Sequence, residues 1–224
     1  MMKGQTCNRT SLAWCDVAVP YDAARKNAEF RLEFADHVHR HFFNGGALYV
    51  ASNATRSDPT DAQHNVPAAR FERLARQIEH AIIAESARWG DQHSQVPYTR
   101  DEHWAIERKR VLEKWLPQRS AVVLDQLRAA GLYPNVEAPS FNTHGGAVPS
   151  GFLLKMSAPT GTIYFTLDGS DPRKSATAAV YESAIMIKEQ TTAKARVVQD
   201  KVWSALNEAS FTIEGSERAG SAIQ

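Results

Sequence analysis

Two hydrophobic rhythms divide the chain. Up to about residue 131 apolar side chains recur every three or four positions, the spacing of a helix with one buried stripe. From about residue 150 they alternate, the spacing of a strand with one buried face.

In the first half, Phe30, Phe34, Val38 and Phe42 predict a helix over about 22–43, with Asn44, Gly45 and Gly46 able to supply a left-handed C-terminal cap. Residues 51–65 are polar and aperiodic and read as a loop. A second helix begins at Asn65, a good capping residue, with Pro67 in its first turn where a missing N–H costs nothing. Phe71, Leu74, Ile78, Ile82 and Trp89 form its expected inward face, and Gly90 ends it. Thr99 to Glu102 is a capping box opening a third helix whose buried side is Trp104, Val111, Leu112 and Trp115. Pro117 opens a fourth, carrying Val123, Leu127 and Ala130 and stopped by Gly131.

In the second half, Phe152, Leu154 and Met156 alternate with Leu153, Lys155 and Ser157. Further strands are expected at 162–167, 185–188, 192–199 and 210–213, with the turn Asp168, Gly169, Ser170, Asp171, Pro172 after the first of these. The fold expected is α plus β in two domains: antiparallel helices, then a small antiparallel immunoglobulin-like sandwich. The boundaries are a loose N-terminus over 1–21, a helical domain over 22–133, a linker over 134–149, the sandwich over 150–214 and a flexible tail over 215–224.

Composition narrows the function classes. The 224 residues carry 26 Lys and Arg against 25 Asp and Glu, a net charge of +1, so neither nucleic acid nor an anionic bilayer is implied as a partner. No apolar run reaches the roughly 18 residues of a membrane span, and residues 1–20 lack the pattern of an export signal. Two cysteines, Cys7 and Cys15, exclude a disulfide framework and a four-cysteine zinc site; they are either free thiols or one local disulfide.

Specific stretches resemble known families. Residues 161–172, GTIYFTLDGSDP, followed by Tyr181, by TTAKAR at 191–196 and by Trp203 and Ser204, are similar to the chitobiase/β-hexosaminidase C-terminal module. That resemblance covers about a third of the chain and implies an immunoglobulin-like accessory domain outside the cytoplasm. Residues 30–48, 81–91 and 123–134 resemble the distal end of the CotH-type spore-coat kinase family in its bacterial multidomain form. The ATP-handling lobe of that family should precede this region, and residues 1–27 are too short to hold it. Neither a G-x-G-x-x-G loop nor a P-loop is present, so no catalytic residue and no cofactor carries over. The expectation is a C-terminal piece of such a protein acting as a non-catalytic structural unit with a spacer. The alternatives are the tail of an active protein kinase and a carbohydrate-binding accessory module. Partners would be other domains of the parent protein, surface proteins or polysaccharide.

Five groups of residues invite a chemical reading. His37 and His41 stand one helical turn apart, as a metal pair would, and equally as surface histidines near a helix C-terminus. Asp168 and Asp171 flank a turn; the calcium-loop pattern is absent, and carboxylates that bond their own backbone explain them, with Gly169 and Pro172 shaping the turn. Ser86 lacks the G-x-S-x-G elbow of a hydrolase nucleophile. Arg108, Lys109 and Arg110 form a basic run that neighbouring glutamates neutralise. Tyr164, Tyr181 and Trp203 could stack on sugars, though their places in the family pattern imply packing within the sandwich.

Overall fold

The computed structural model describes residues 19–51, 60–92 and 94–215. Helices fill the first half and a set of mainly antiparallel sheets the second, the α plus β, two-part architecture expected. Cys7 and Cys15 lie outside the described residues, as does the tail beyond 215. By contacts the described chain divides into two compact units, one of His41–Asp125 and one of residues 19–40 with 126–215.

The first unit is helical. Helix α3 (Val66–Trp89) starts where its cap requires: the Asn65 side chain accepts the Ala68 N–H at 3.0 Å. Next comes a continuous helical run made of a π-turn (Arg100–Trp104), α4 (Ala105–Arg110), a second π-turn (Val111–Trp115) and α5 (Leu116–Ala129). The expected break at Pro117 is therefore not there. The residue before it, Leu116, bonds back five residues to Val111, and the widened turn gives room for a ring that an ordinary α-turn would push against a carbonyl. The capping box is half formed. Thr99 accepts the Glu102 N–H at 3.2 Å, but His103 Nδ1, rather than Glu102, accepts the Thr99 N–H, at 3.1 Å.

The buried face of α3 also differs from expectation. Leu74 and Ile78 are 47% and 49% exposed, and Trp89 is exposed too. The inward positions are Ala68, Glu72 and Ala75. Glu72 is tolerated there because Arg108 clasps it through both Nε, at 2.9 Å, and Nη2, while Arg76 adds a bond of 2.7 Å. Small residues let the helices close up, and a charge-assisted fork takes the place of a hydrophobic knob. Ala68, Leu112 and Leu116 form the adjoining core, with Phe71 and Val111 against it. Trp115, expected inside, is exposed with Arg119 over its ring at 5.4 Å.

The second unit holds α1 (Val19–Ala24) and α2 (Ala28–Phe42) in place of one helix over 22–43. Asn27 breaks the run, because its side chain accepts the Glu29 and Phe30 N–H groups and caps α2. Arg31 fastens the corner by donating to the Arg25 and Lys26 carbonyls at 3.0 and 2.9 Å.

The strands are β1 (Ser140–Phe141), β2 (Gly146–Val148), β3 (Phe152–Leu154), β4 (Met156–Ser157), β5 (Thr162–Thr166), β6 (Ala179–Val180), β7 (Ile185–Ile187), β8 (Thr191–Gln199), β9 (Val202–Trp203) and β10 (Asn207–Ile213). One sheet runs β2-β10-β8-β5-β6, with β9 also on β8; β1-β4 and β3-β7 form two small ladders. All pairs are antiparallel except β2 with β10. Strands β1 and β2 fall inside 134–149, the stretch expected to be a linker. Val148, Leu154, Ile163, Ile187, Ala195, Val197 and Phe211 share one core. Strand β8 is buried on both sides: Ala193, Ala195 and Val197 point to that core, and Arg196, 1% exposed, points the other way.

Candidate functional site

Three places gather polar or aromatic chemistry. The first is Arg196. Its guanidinium donates to Asp36 of α2 through Nη1 (2.8 Å) and Nη2 (2.6 Å), to Asp171 through Nε (2.8 Å) and Nη2 (2.9 Å), and to the Ser204 carbonyl (2.9 Å). Asp36 also accepts the Leu206 N–H at 2.8 Å. Burial pushes the Asp171 carboxyl up, but Arg196, the Arg173 N–H and the charges of both arginines outweigh it and hold the group below its ordinary value. Burial likewise works against the Arg196 charge, and the two carboxylates more than restore it. Every hydrogen-bonding direction of this guanidinium is filled by protein, so the centre joins helix to sheet and leaves no donor for a ligand. The sequence signal was one arginine in a strand otherwise rich in Ala and Val.

The second place is the turn after β5. Asp168 accepts from the Ser170 hydroxyl, the Ser170 N–H (2.9 Å) and the Thr177 hydroxyl (2.7 Å), and these bonds hold its carboxyl at about 2. Gly169 has φ +78, and its N–H donates to the Thr192 carbonyl at 3.1 Å. Asp171 accepts the Arg173 N–H at 3.0 Å, and Pro172 is buried. Tyr164 meets Trp203 edge to face at 5.7 Å, and Tyr181 meets Phe165 at 6.3 Å, with Tyr181 packed on the core. These rings pack on each other across strands.

The expected histidine pair is exposed on α2, and it is the middle residue, His39, that has a built environment. His39 is buried, with Nδ1 2.9 Å from the Tyr133 hydroxyl. Burial, aided by His144, lowers it to about 4, so the ring is neutral at pH 7. Among the described residues no three His, Cys, Asp or Glu side chains converge as a metal set, and no helix is long and apolar enough to cross a membrane.

The third place is a cleft of about 700 Å³ in the helical unit, between the end of α3 and the first π-turn. Trp89, Tyr98, His103, Trp104 and Ile82 form its apolar walls, and Glu85, Ser86, Gln92, Thr99 and Glu107 its polar rim. The floor is fixed by backbone. Gly90 donates to the Ser86 carbonyl at 3.0 Å and its own carbonyl accepts the Tyr98 N–H at 2.8 Å. A Cβ on Gly90 would lie 2.4 Å from the Ser86 oxygen and 2.6 Å from the Tyr98 oxygen, so only glycine fits. His103 accepts the Thr99 N–H through Nδ1, so the neutral ring carries its proton on Nε2 and is a donor there. In that tautomer neither ring nitrogen is free to take a proton from Ser86. Arg108, in the basic run, turns to Glu72, while Arg110 pairs with Glu107 and Lys109 lies 3.9 Å from Glu113. Sequence reasoning placed Trp89 and Trp104 in helix cores; the cleft they line depends on the bond between the Tyr98 N–H and the Gly90 carbonyl, in a stretch that carries no periodic pattern.

No curated protein matches the chain. A family model described as Fn3 associated matches residues 152–208, from β3 into β10, so this quarter of the chain is similar to a fibronectin-III-associated module, in keeping with its immunoglobulin-like sheets.

Proposed function

We propose that the sandwich with α2 is a rigid, non-catalytic spacer in a bacterial surface or secreted protein of the CotH-like type, acting outside the cytoplasm. One observation carries the reading: Arg196 is shared between Asp36 on the helix and Asp171 on the sheet, so the polar groups of the matched module are used to bind it into one body. The likeness of residues 152–208 to a fibronectin-III-associated module and the closed hydrogen bonding of the Asp168 turn support it. A spacer transmits position, which requires that its layers do not open separately.

Native-state hydrogen exchange tests this. Amides of 30–39 and of 193–198 are expected to share one opening free energy across a denaturant series. Exchange of the α2 amides through a separate opening several kcal/mol below that of β8 would refute the reading.

A further inference from the structure

We infer that the aromatic cleft of the helical unit binds a pyranose ring of an uncharged or amine-bearing polysaccharide. Sugar rings offer one apolar C–H face and an edge of hydroxyls, and they are held by aromatic planes beside a few fixed donors and acceptors. The cleft has that composition. Trp89 and Tyr98 are 44% and 53% exposed, an open platform and not an enclosed cage. Its volume of about 700 Å³ suits a disaccharide better than a small ammonium ion.

The platform is held before any ligand arrives. Arg88 lies over Trp89 at 4.8 Å and Arg108 over Trp104 at 5.4 Å, and Tyr98 packs edge-on to His103 at 5.0 Å. The Gly90 and Tyr98 backbones are bonded to each other, as described above. A site that need not be ordered on binding loses less affinity to entropy.

Charge selects within the class. Among the described residues no lysine or arginine lines the cleft; the nearest guanidiniums, Arg88, Arg108 and Arg110, lie over Trp89, over Trp104 and on Glu107, so a phosphate, sulfate or uronate finds no cation on the cleft wall itself. Glu107 is neutralised by Arg110, whereas Glu85 has no ion pair among the described residues. A carboxylate without an ion pair among the described residues, set beside indole rings, favours a ring bearing an amine over its neutral counterpart.

The test is calorimetric titration of the whole chain with three hexasaccharides of glucose, glucosamine and galacturonate, and with tetramethylammonium. The first two bind, the amine-bearing one more tightly, and the anionic one does not. Trp89→Ala, at an exposed position, weakens binding at least tenfold with an unchanged Tm; Trp115→Ala, an exposed indole outside the cleft, leaves it unchanged. Glu85→Gln removes the preference for the amine and keeps the neutral affinity. Absence of binding to both expected sugars at millimolar concentration, equal binding of the galacturonate oligomer, indifference to Trp89→Ala, or binding of tetramethylammonium alone would each overturn the assignment.

Discussion

Replacing Asp36 with alanine should loosen α2 from the sheet. The change deletes two of the five hydrogen bonds of Arg196 and leaves the Leu206 N–H without its acceptor. A bond to a charged partner contributes about 1.5–3 kcal/mol, and stranding a buried ion entirely costs about 3–5 kcal/mol. Arg196 keeps Asp171, and the Asp36 side chain is 19% exposed, so water can replace part of what is lost. The expected destabilisation is therefore about 3 kcal/mol, a fall in Tm of about 6–12 °C for a protein of this size. Urea unfolding at pH 7 measures it, followed by the α-helical and near-ultraviolet signals together. A cycle with Arg196→Met isolates the pair, with a coupling of about 2 kcal/mol expected. A loss below about 1 kcal/mol, or no coupling, would mean that the contact behaves like a solvated surface pair and that the argument for a single body fails.

The buried His39 gives a pH dependence of definite sign. Its folded value of about 4 lies below its ordinary 6.5, so the unfolded chain gains a proton first as pH falls. Stability is full above about pH 7, drops by about 2 kcal/mol by pH 5 and by about 3 kcal/mol near pH 4; urea midpoints at pH 7 and 5 check this, and His39→Gln should flatten the slope. Gly169→Val puts a β-branched residue at φ +78, where the Cβ itself has room 3.6 Å from Thr192, so the cost is backbone strain of about 2 kcal/mol read as a lower Tm. Millimolar calcium should leave the Tm of the unaltered protein where it is, because the Asp168 oxygens already accept three protein donors; a rise would make the turn a ligand site. Calorimetry with Mg-ATP should show no binding, since the sequence holds no phosphate loop and the described lining of the cleft no lysine or arginine; micromolar affinity would refute this.

What was legible in the sequence was local. Asn65 and Thr99 cap helices three residues ahead, Gly131 closes one with φ +68, and the period of two located β5, β7, β8 and β10. What was not legible depended on partners far along the chain. Glu72 is inside only because Arg108 reaches it from 36 positions away, and that single pairing turned Leu74 and Ile78 outward. The parallel ladder of β2 on β10 joins Gly146 to Phe211, a pairing that neither segment signals by itself. Asp36 and Arg196 each looked ordinary, one on a helix surface and one in a strand; their meeting across 160 positions is what makes them structural.

The widened turns around α4 have a consequence for insertions and deletions. Arg108, Leu112 and Leu116 are four positions apart, and they reach Glu72 and the cluster around Ala68, both on α3. In an unbroken α-helix eight residues overshoot two full turns by about 80°, which would swing Leu116 off that stripe. The wide turn at Val111–Trp115 admits one extra residue and so gives back about 100°. The helix thus works as a phase corrector. Deleting any one residue from 111–115 would leave a regular, locally contented helix, yet rotate everything beyond it out of step with α3. Lineages of this protein should tolerate substitutions in that turn far better than a change in its length.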